Sequence, residues 1–210
     1  MMTPGGHDVL IVTDVQHSFL PGGALAVPEG DRIIPVVARL AQAFPNVIFT
    51  QDWHPPGHVS FASSHPGRKP FETIELPYGP QVLWPDHCVQ GSEGAEIHPD
   101  VRVRHAQLVI RKGYHRGVDS YSAFFEGDRR TATGLTGYLR DRDIRRCVLV
   151  GLATDFCVAW SALDARRMGF EVTVVEDACR AIDVDGSLAA AWQDMERAGV
   201  RRLRAGDVAG

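Results

Sequence analysis

The chain has 210 residues, with 22 basic and 26 acidic side chains, a net charge of −4 and 44% apolar residues. Those proportions exclude a disordered chain, a collagen-like fibre and a disulfide-stapled miniprotein. A slightly acidic chain offers no basic field for nucleic acid, and no apolar run approaches the ~18 residues that a membrane span needs. Met1 to Asp8 lacks a basic stretch followed by a long apolar one, so no secretory signal is expected. The four cysteines, Cys88, Cys147, Cys157 and Cys179, are scattered and form no CxxC pair. Reduced thiols in a cytoplasm are the expectation that follows.

Short β-branched runs alternate with helical patterns along the chain. Val9-Leu10-Ile11-Val12 is an unbroken apolar run and reads as a buried strand ending at Thr13-Asp14. Asp31 to Phe44 carries Ile33, Ile34, Val37, Leu40, Ala41 and Phe44 at helical spacing, with Pro35 in the first turn, where proline is tolerated. Val47 to Thr50 predicts a second strand, ending at Gln51-Asp52-Trp53-His54. Residues 55 to 105 are proline-rich and poorly periodic. Their aromatics, Phe61, Phe71, Tyr78 and Trp84, argue for an ordered, packed excursion. Gln107 to Arg111 resumes the strand pattern and delivers Lys112.

Thr131 to Arg142 predicts a helix and Cys147 to Val150 the next strand. Thr154-Asp155 stands where a helix N-cap belongs, ahead of a helix from Cys157 to Met168 that Gly169 closes. Val172 to Val175 is a further strand, Asp185 to Ala198 a helix, and Arg201 to Arg204 a last short strand. This alternation implies right-handed crossovers and a mostly parallel six-stranded sheet covered on both faces. The reading is one three-layer α/β/α domain over residues 1–210, with the excursion at about 55–105.

In such sheets ligands bind beyond the carboxyl ends of the strands. Reactive side chains gather there: Asp14 after the first strand, Asp52 and His54 at the second, Lys112 at the third and Cys157 after the fourth. A free cysteine is ordinarily an inert core residue. At a helix N-terminus, though, the dipole favours its thiolate, and nearby main-chain N–H groups can hold an oxyanion. With Asp14 to accept a proton and Lys112 to hold negative charge, the set suits nucleophilic attack on an acyl carbon. Asp52-Trp53-His54 places two metal-type ligands two residues apart, on one side of an extended chain. His58, Ser60, His65 and His87 in the excursion supply further candidates.

Five segments occur in series: Asp14-Val15-Gln16 with Phe19, Gln51 to His54, Trp84-Pro85-Asp86-His87-Cys88, Lys112-Gly113, and Gly151 to Val158. Together they resemble the nicotinamidase/pyrazinamidase branch of the isochorismatase-like cysteine hydrolases, over about residues 8 to 180. The resemblance implies the isochorismatase-like hydrolase fold, with strand order 3-2-1-4-5-6. It implies Cys157 as nucleophile, Asp14 as general base and acid, and Lys112 as their charged partner. It also implies a cis peptide between Leu152 and Ala153, with the N–H groups of Ala153 and Cys157 facing the oxyanion. Asp52, His54 and His87 would bind one divalent metal ion, zinc first, with iron or manganese as alternatives. Ser60 would reach that ion directly or through water, ahead of His58. Phe19 and Trp84 would sandwich the substrate ring. Tyr121, in a segment from Asp119 to Phe124 that looks like the same branch, joins the substrate-binding set.

The implied reaction is hydrolysis of nicotinamide to nicotinate and ammonia, within NAD salvage, with pyrazinamide fitting the same pocket. The partners expected are small molecules, not nucleic acid or a membrane; a homo-oligomer stays open. Because His87 comes from the irregular excursion, the ion is expected to pin that loop to the sheet. Ser18 stands where the branch usually has aspartate, which puts local hydrogen bonding there in question. His17 and His115 read as solvated loop histidines, and Cys88, Cys147 and Cys179 as structural or incidental. The rivals are an N-carbamoyl or ureidoacrylate amidohydrolase, an isochorismatase lacking the thiol, and a silent binding subunit. The metal set argues against the first, Cys157 against the second, and the intact trio of Asp14, Lys112 and Cys157 against the third.

Overall fold

An apolar run stays buried along its whole length when both faces of its strand are covered. In the computed structural model, which describes residues 1–208, β1 (Asp8–Thr13) is such a strand, buried at every position. Its even residues, Leu10 and Val12, pack with Val37, Leu40 and Ala41 of α1 (Ile34–Ala43) on one face. Its odd residues, Val9 and Ile11, pack on the other face with α2 (Leu135–Asp141), α3 (Ala159–Arg167) and α4 (Ser187–Arg197). Burying each such side chain contributes roughly 1.5–3 kcal/mol, so this two-sided core is the main source of the fold's stability.

The other strands are β2 (Val47–Asp52), β3 (Thr73–Leu76), β4 (Gly79–Val82), β5 (Leu108–Lys112), β6 (Arg146–Leu152), β7 (Glu171–Arg180) and β8 (Arg201–Leu203). Six of them form one parallel sheet in the order β5-β2-β1-β6-β7-β8. Counted among the sheet's own strands this is the order 3-2-1-4-5-6; the labels differ in detail because β3 and β4 pair with each other as a separate antiparallel hairpin inside the excursion. That hairpin is invisible in the sequence pattern. Its residues are exposed or half-buried apart from the buried Gln81, and prolines at 77 and 80 disguise it.

Several helix boundaries shift for local reasons. Gly30 to Ile33 winds as a 3-10 turn before α1 begins, with Pro35 in the first helical turn as expected. The helix expected from Thr131 starts only at Leu135. The main-chain N–H groups of Arg130 and Thr131 are taken by Asp128 Oδ1, each at 2.9 Å, which ties that stretch into a turn. Thr154 to Val158 forms a π-helical turn ahead of α3, and Asp155 does not cap it.

The excursion is ordered by main-chain pairing and by aromatic packing. Bridges join Gln16 to Ile97, His54 to Val89 and Phe61 to Trp84. Phe61 and Trp84 are buried, whereas Phe71 is 48% exposed and meets Trp84 only edge-on. At the other end of the site, Gly151 has φ +118, and a Cβ there would lie 2.0 Å from the Thr13 carbonyl oxygen. No other residue fits where β6 passes the end of β1. No helix among the described residues is long and apolar enough to cross a membrane.

Candidate active site

The ends of β1, β2 and β5 bring three charged side chains into one buried knot. Lys112, fully buried, places Nζ 2.8 Å from Asp14 Oδ2 and donates to Asp52 Oδ1, to the Ser120 carbonyl at 3.0 Å and to Cys157 Sγ at 3.4 Å. Asp14 leaves the strand with φ +47, an unusual value for a residue other than glycine. Thr50 over-determines that turn: its hydroxyl donates to Asp14 Oδ1 at 2.6 Å and accepts the Asp14 N–H at 3.1 Å. Gln16 replaces strand pairing beyond the ends of β1 and β2. Its amide accepts the Asp52 N–H and donates to the Asp52 and Ala95 carbonyls, each at 2.8 Å. One oxygen of Asp14, one of Asp52 and Cys157 Sγ all lie within 4.8 Å of one another.

Burial controls the charge states. It pushes the Cys157 thiol well above its ordinary value, with Lys112 pulling down and the two aspartates adding to the rise. The expected low-pKa thiolate at a helix N-terminus is therefore corrected. Cys157 is the fourth residue of the π-helical turn and only 6% exposed, so the resting thiol keeps its proton. Burial alone would lower Lys112, but Asp14, Asp52 and Cys157 outweigh it and hold the ammonium firmly charged.

Beside the knot, His54 and His87 share the other oxygen of Asp52, with Nε2 at 3.8 and 3.9 Å from Asp52 Oδ2. These distances exceed a hydrogen bond and are close to the spacing of ligands around an ion with bonds of ~2.0–2.2 Å. Each Nδ1 faces a carbonyl, that of Gly113 at 2.9 Å and that of Pro85 at 2.8 Å. A carbonyl only accepts, so both protons sit on Nδ1 and both Nε2 lone pairs face Asp52. Burial brings both imidazoles down to about 4, which leaves them neutral and ready to ligate near neutral pH. Gly113 is obligatory for this contact, since a Cβ there would lie 2.4 Å from the His54 ring. Asp52, His54 and His87 thus form a buried set able to hold a divalent metal ion.

Ser60 and His58 divide differently. His58 Nε2 faces the carbonyls of His115 and Val118, at 3.0 and 3.2 Å, so it carries the proton. Its remaining nitrogen takes the Ser60 hydroxyl proton at 2.7 Å. The His58 lone pair is occupied, and the Ser60 oxygen keeps its own.

A small cavity opens onto Cys157, lined by the apolar Phe19, Leu25, Trp84, Phe156 and Ile182 and by the polar Asp52, His54, His87 and Asp119. Tyr121 and Ala153 complete it. Trp84 is fixed by donating Nε1–H to the Tyr121 hydroxyl at 3.0 Å and by standing edge-on to Phe156 at 4.9 Å. The peptide between Leu152 and Ala153 is cis.

Among known proteins, residues 8–205 match the isochorismatase domain model. The chain belongs to the isochorismatase family. Within this family it is 56% identical to a nicotinamidase of Acinetobacter baylyi over 202 residues, covering 96% of this chain and 94% of that one. The solved Acinetobacter baumanii nicotinamidase/pyrazinamidase is 58% identical, with a TM-score of 0.95 over 97% of this chain and 98% of that one. A Pyrococcus horikoshii pyrazinamidase, solved in complex with zinc, is 34% identical with a TM-score of 0.78, covering 94% and 99%.

The departure of this isochorismatase-family chain at Ser18 is absorbed locally. Ser18 Oγ accepts the Cys88 N–H at 3.0 Å and so holds the residue beside His87. Two expectations about neighbouring histidines change. His115 is half in solvent but pairs with the buried Glu126 at 2.7 Å, and His17 is half-buried against His98. Cys88, Cys147 and Cys179 are buried and free. Sequence reasoning missed Asp119 as a cavity residue. Burial would raise its carboxyl, but His54, His58 and the Ser120 N–H outweigh that and hold it below the usual range. Its place seven residues after Lys112, beside Tyr121, was the available signal. Leu25, Phe156 and Ile182 gave none, because apolar residues in loops carry no periodicity.

Proposed function

We propose that the chain hydrolyses nicotinamide to nicotinate and ammonia through a thioester on Cys157, an activity within NAD salvage. The observation that carries the reading is the meeting of one carboxylate, one ammonium and one thiol in a buried knot at the mouth of an aromatic cavity. A relative named nicotinamidase, 56% identical over nearly the whole chain, supports the substrate.

Since the resting thiol is neutral, Asp14 first takes its proton, and the sulfur then attacks the carboxamide carbon. The oxyanion so formed rests on the main-chain N–H groups of Ala153 and Cys157. Asp14 returns the proton to the amide nitrogen, the carbon–nitrogen bond breaks and ammonia departs. Asp14 then takes a proton from water, which attacks the thioester; the carbon–sulfur bond breaks, and the proton returns to the Cys157 sulfur. Throughout, Lys112 stays beside Asp14 and offsets the negative charge on sulfur. Phe19 and Trp84 would hold the ring between them, with Tyr121 at its edge, and pyrazinamide fits the same description.

The residues proposed to hold a metal ion are Asp52, His54 and His87, with the Ser60 oxygen next in line. Two neutral imidazoles and a carboxylate suit zinc, and the zinc complex of the Pyrococcus horikoshii relative favours it over iron or manganese. Such an ion, when bound, supplies a positive centre that orients the ring nitrogen and a water. Four unpaired cysteines, one of them the nucleophile, favour a reducing cytoplasm as the place of action.

The test is ammonia release from nicotinamide by the parent and by Cys157→Ala. Turnover by the parent that the variant lacks is the expected result; turnover on ureido or N-carbamoyl compounds alone would move the chain to the neighbouring amidohydrolases.

A further inference from the structure

We infer that Asp155 is a positioning residue that latches the loop between β7 and α4 over the rim of the cavity, and so sets access to Cys157. The sequence pattern makes Asp155 a cap for its own helix, yet its carboxylate, 6% exposed, turns to another segment. Oδ1 accepts the Ile182 N–H at 3.1 Å, and Oδ2 accepts the Asp183 N–H at 2.8 Å and the Ser187 hydroxyl at 2.5 Å. Among the described residues, these are the hydrogen bonds that tie residues 182–187 to anything beyond the loop and α4. Others there are internal, such as Val184 N–H to Ser187 Oγ at 2.9 Å and Leu188 N–H to Asp183 Oδ1 at 3.2 Å.

The loop does not keep its shape through backbone preference. Asp183 and Asp185 have φ of +57 and +51, a left-handed region that aspartate enters more readily than most residues but seldom adopts twice in three positions. A carboxylate facing two successive N–H groups and a hydroxyl provides an external hold on that shape.

What the loop carries is Ile182. Of the twelve residues that line the cavity, nine are buried; Tyr121, Phe156 and Ile182 are half-buried and form its rim. Tyr121 is held by Trp84 Nε1–H at 3.0 Å and Gln81 Nε2–H at 3.1 Å, and Phe156 follows Asp155 in the chain. Ile182 is the rim member whose main-chain hydrogen bond ends on Asp155. Asp155 therefore closes a strap from the nucleophile's own turn to a second segment of the rim. Releasing it frees Ile182 and leaves the contacts among Asp14, Lys112 and Cys157 in place.

The inference rests on the cavity being where nicotinamide binds, and the test separates the two claims. In Asp155→Asn an NH2 group replaces one acceptor and faces an N–H or O–H donor. Cys157 should then react with iodoacetamide about fivefold faster or more, since local opening exposes the thiol. KM for nicotinamide should rise about fivefold or more with kcat within about twofold, because binding is loosened and the chemistry is not. Ser187→Ala, which removes one bond of three, should move both quantities in the same direction by less. An unchanged alkylation rate in folded Asp155→Asn overturns the latch, as does a fall in kcat at constant KM, which would place the effect on the nucleophile. If Asp155→Asn does not fold, Ser187→Ala decides: faster alkylation supports the latch and an unchanged rate overturns it. Should the parent fail to hydrolyse nicotinamide, the functional reading falls, while the alkylation comparison still decides the latch.

Discussion

Lys112 Nζ stands 3.4 Å from Cys157 Sγ, and the same ammonium holds Asp14 at 2.8 Å. One buried cation therefore faces a neutral thiol and the carboxylate proposed to deprotonate it. Of the four cysteines, Cys157 is the most exposed, at 6%, and stands beside Lys112. Iodoacetamide should label it first. Because burial holds the thiol well above its ordinary value of 9.0, the labelling rate should keep rising beyond pH 9 rather than level off. A plateau between pH 6 and 8 would show a thiolate already formed at rest, with Asp14 unnecessary as its base.

Lys112→Met should be more damaging than a change of charge at a surface. It leaves the Asp14 and Asp52 carboxylates buried without their cation, which costs about 3–5 kcal/mol when one partner of a buried pair is removed. The chemical denaturation midpoint should fall accordingly and turnover should be lost. A variant as stable as the parent would show that water or a bound ion, not Lys112, balances the two carboxylates.

Loss of the metal set should leave the excursion in place. The sequence suggested that an ion through His87 orders that long loop. The structure also shows protein contacts that anchor it. Gln16 and Gln51 both donate to the Ala95 carbonyl at 2.8 Å, and His54 and Cys88 pair through their main chains at 3.0 Å. His87→Ala should therefore bind zinc more weakly yet show parental resistance to protease between residues 56 and 100. Rapid cutting there would return the ordering role to the ion.

The contrast marks what could be read from sequence. The sheet was legible because runs such as Val9 to Val12 and Val47 to Thr50 have one physical explanation, burial on both faces. The reactive side chains were legible because strand ends gather them, and Asp14, Asp52, His54 and Lys112 all leave such ends. The excursion was not. Its hairpin has one solvated face, and its anchors are side chains of Gln16 and Gln51 that bond to main-chain groups more than forty residues away. Nor could the thiol's charge state be inferred. The helix-terminus argument is sound for an exposed cysteine, but burial outweighs it for Cys157. Asp155 shows the same limit, since a capping pattern in sequence cannot reveal a competing segment brought up by the fold.

Titration of the metal-free protein offers a last check. Burial takes His54 and His87 from an ordinary 6.5 down to about 4, and raises Asp52 from 3.8 to about 7. Between about pH 4 and 6.5 the unfolded chain thus binds two protons on these imidazoles that the native state refuses. Over the same range native Asp52 keeps one proton that the unfolded chain releases. The unfolded state gains protons net, so stability falls as pH drops through this window. The depressed histidines contribute their stability fully above pH 6.5; the raised carboxyl opposes them and weakens the slope. With chelator present, Tm should decline from pH 6.5 to 4.5, and His87→Gln, which removes one of the two imidazoles, should flatten the decline. Added zinc should raise Tm more at pH 7 than at pH 5, since protons compete for the same Nε2 lone pairs. A chelated parent whose Tm is level or rising toward pH 5 would mean that these imidazoles are not held neutral by burial, and that the donor set is not preformed.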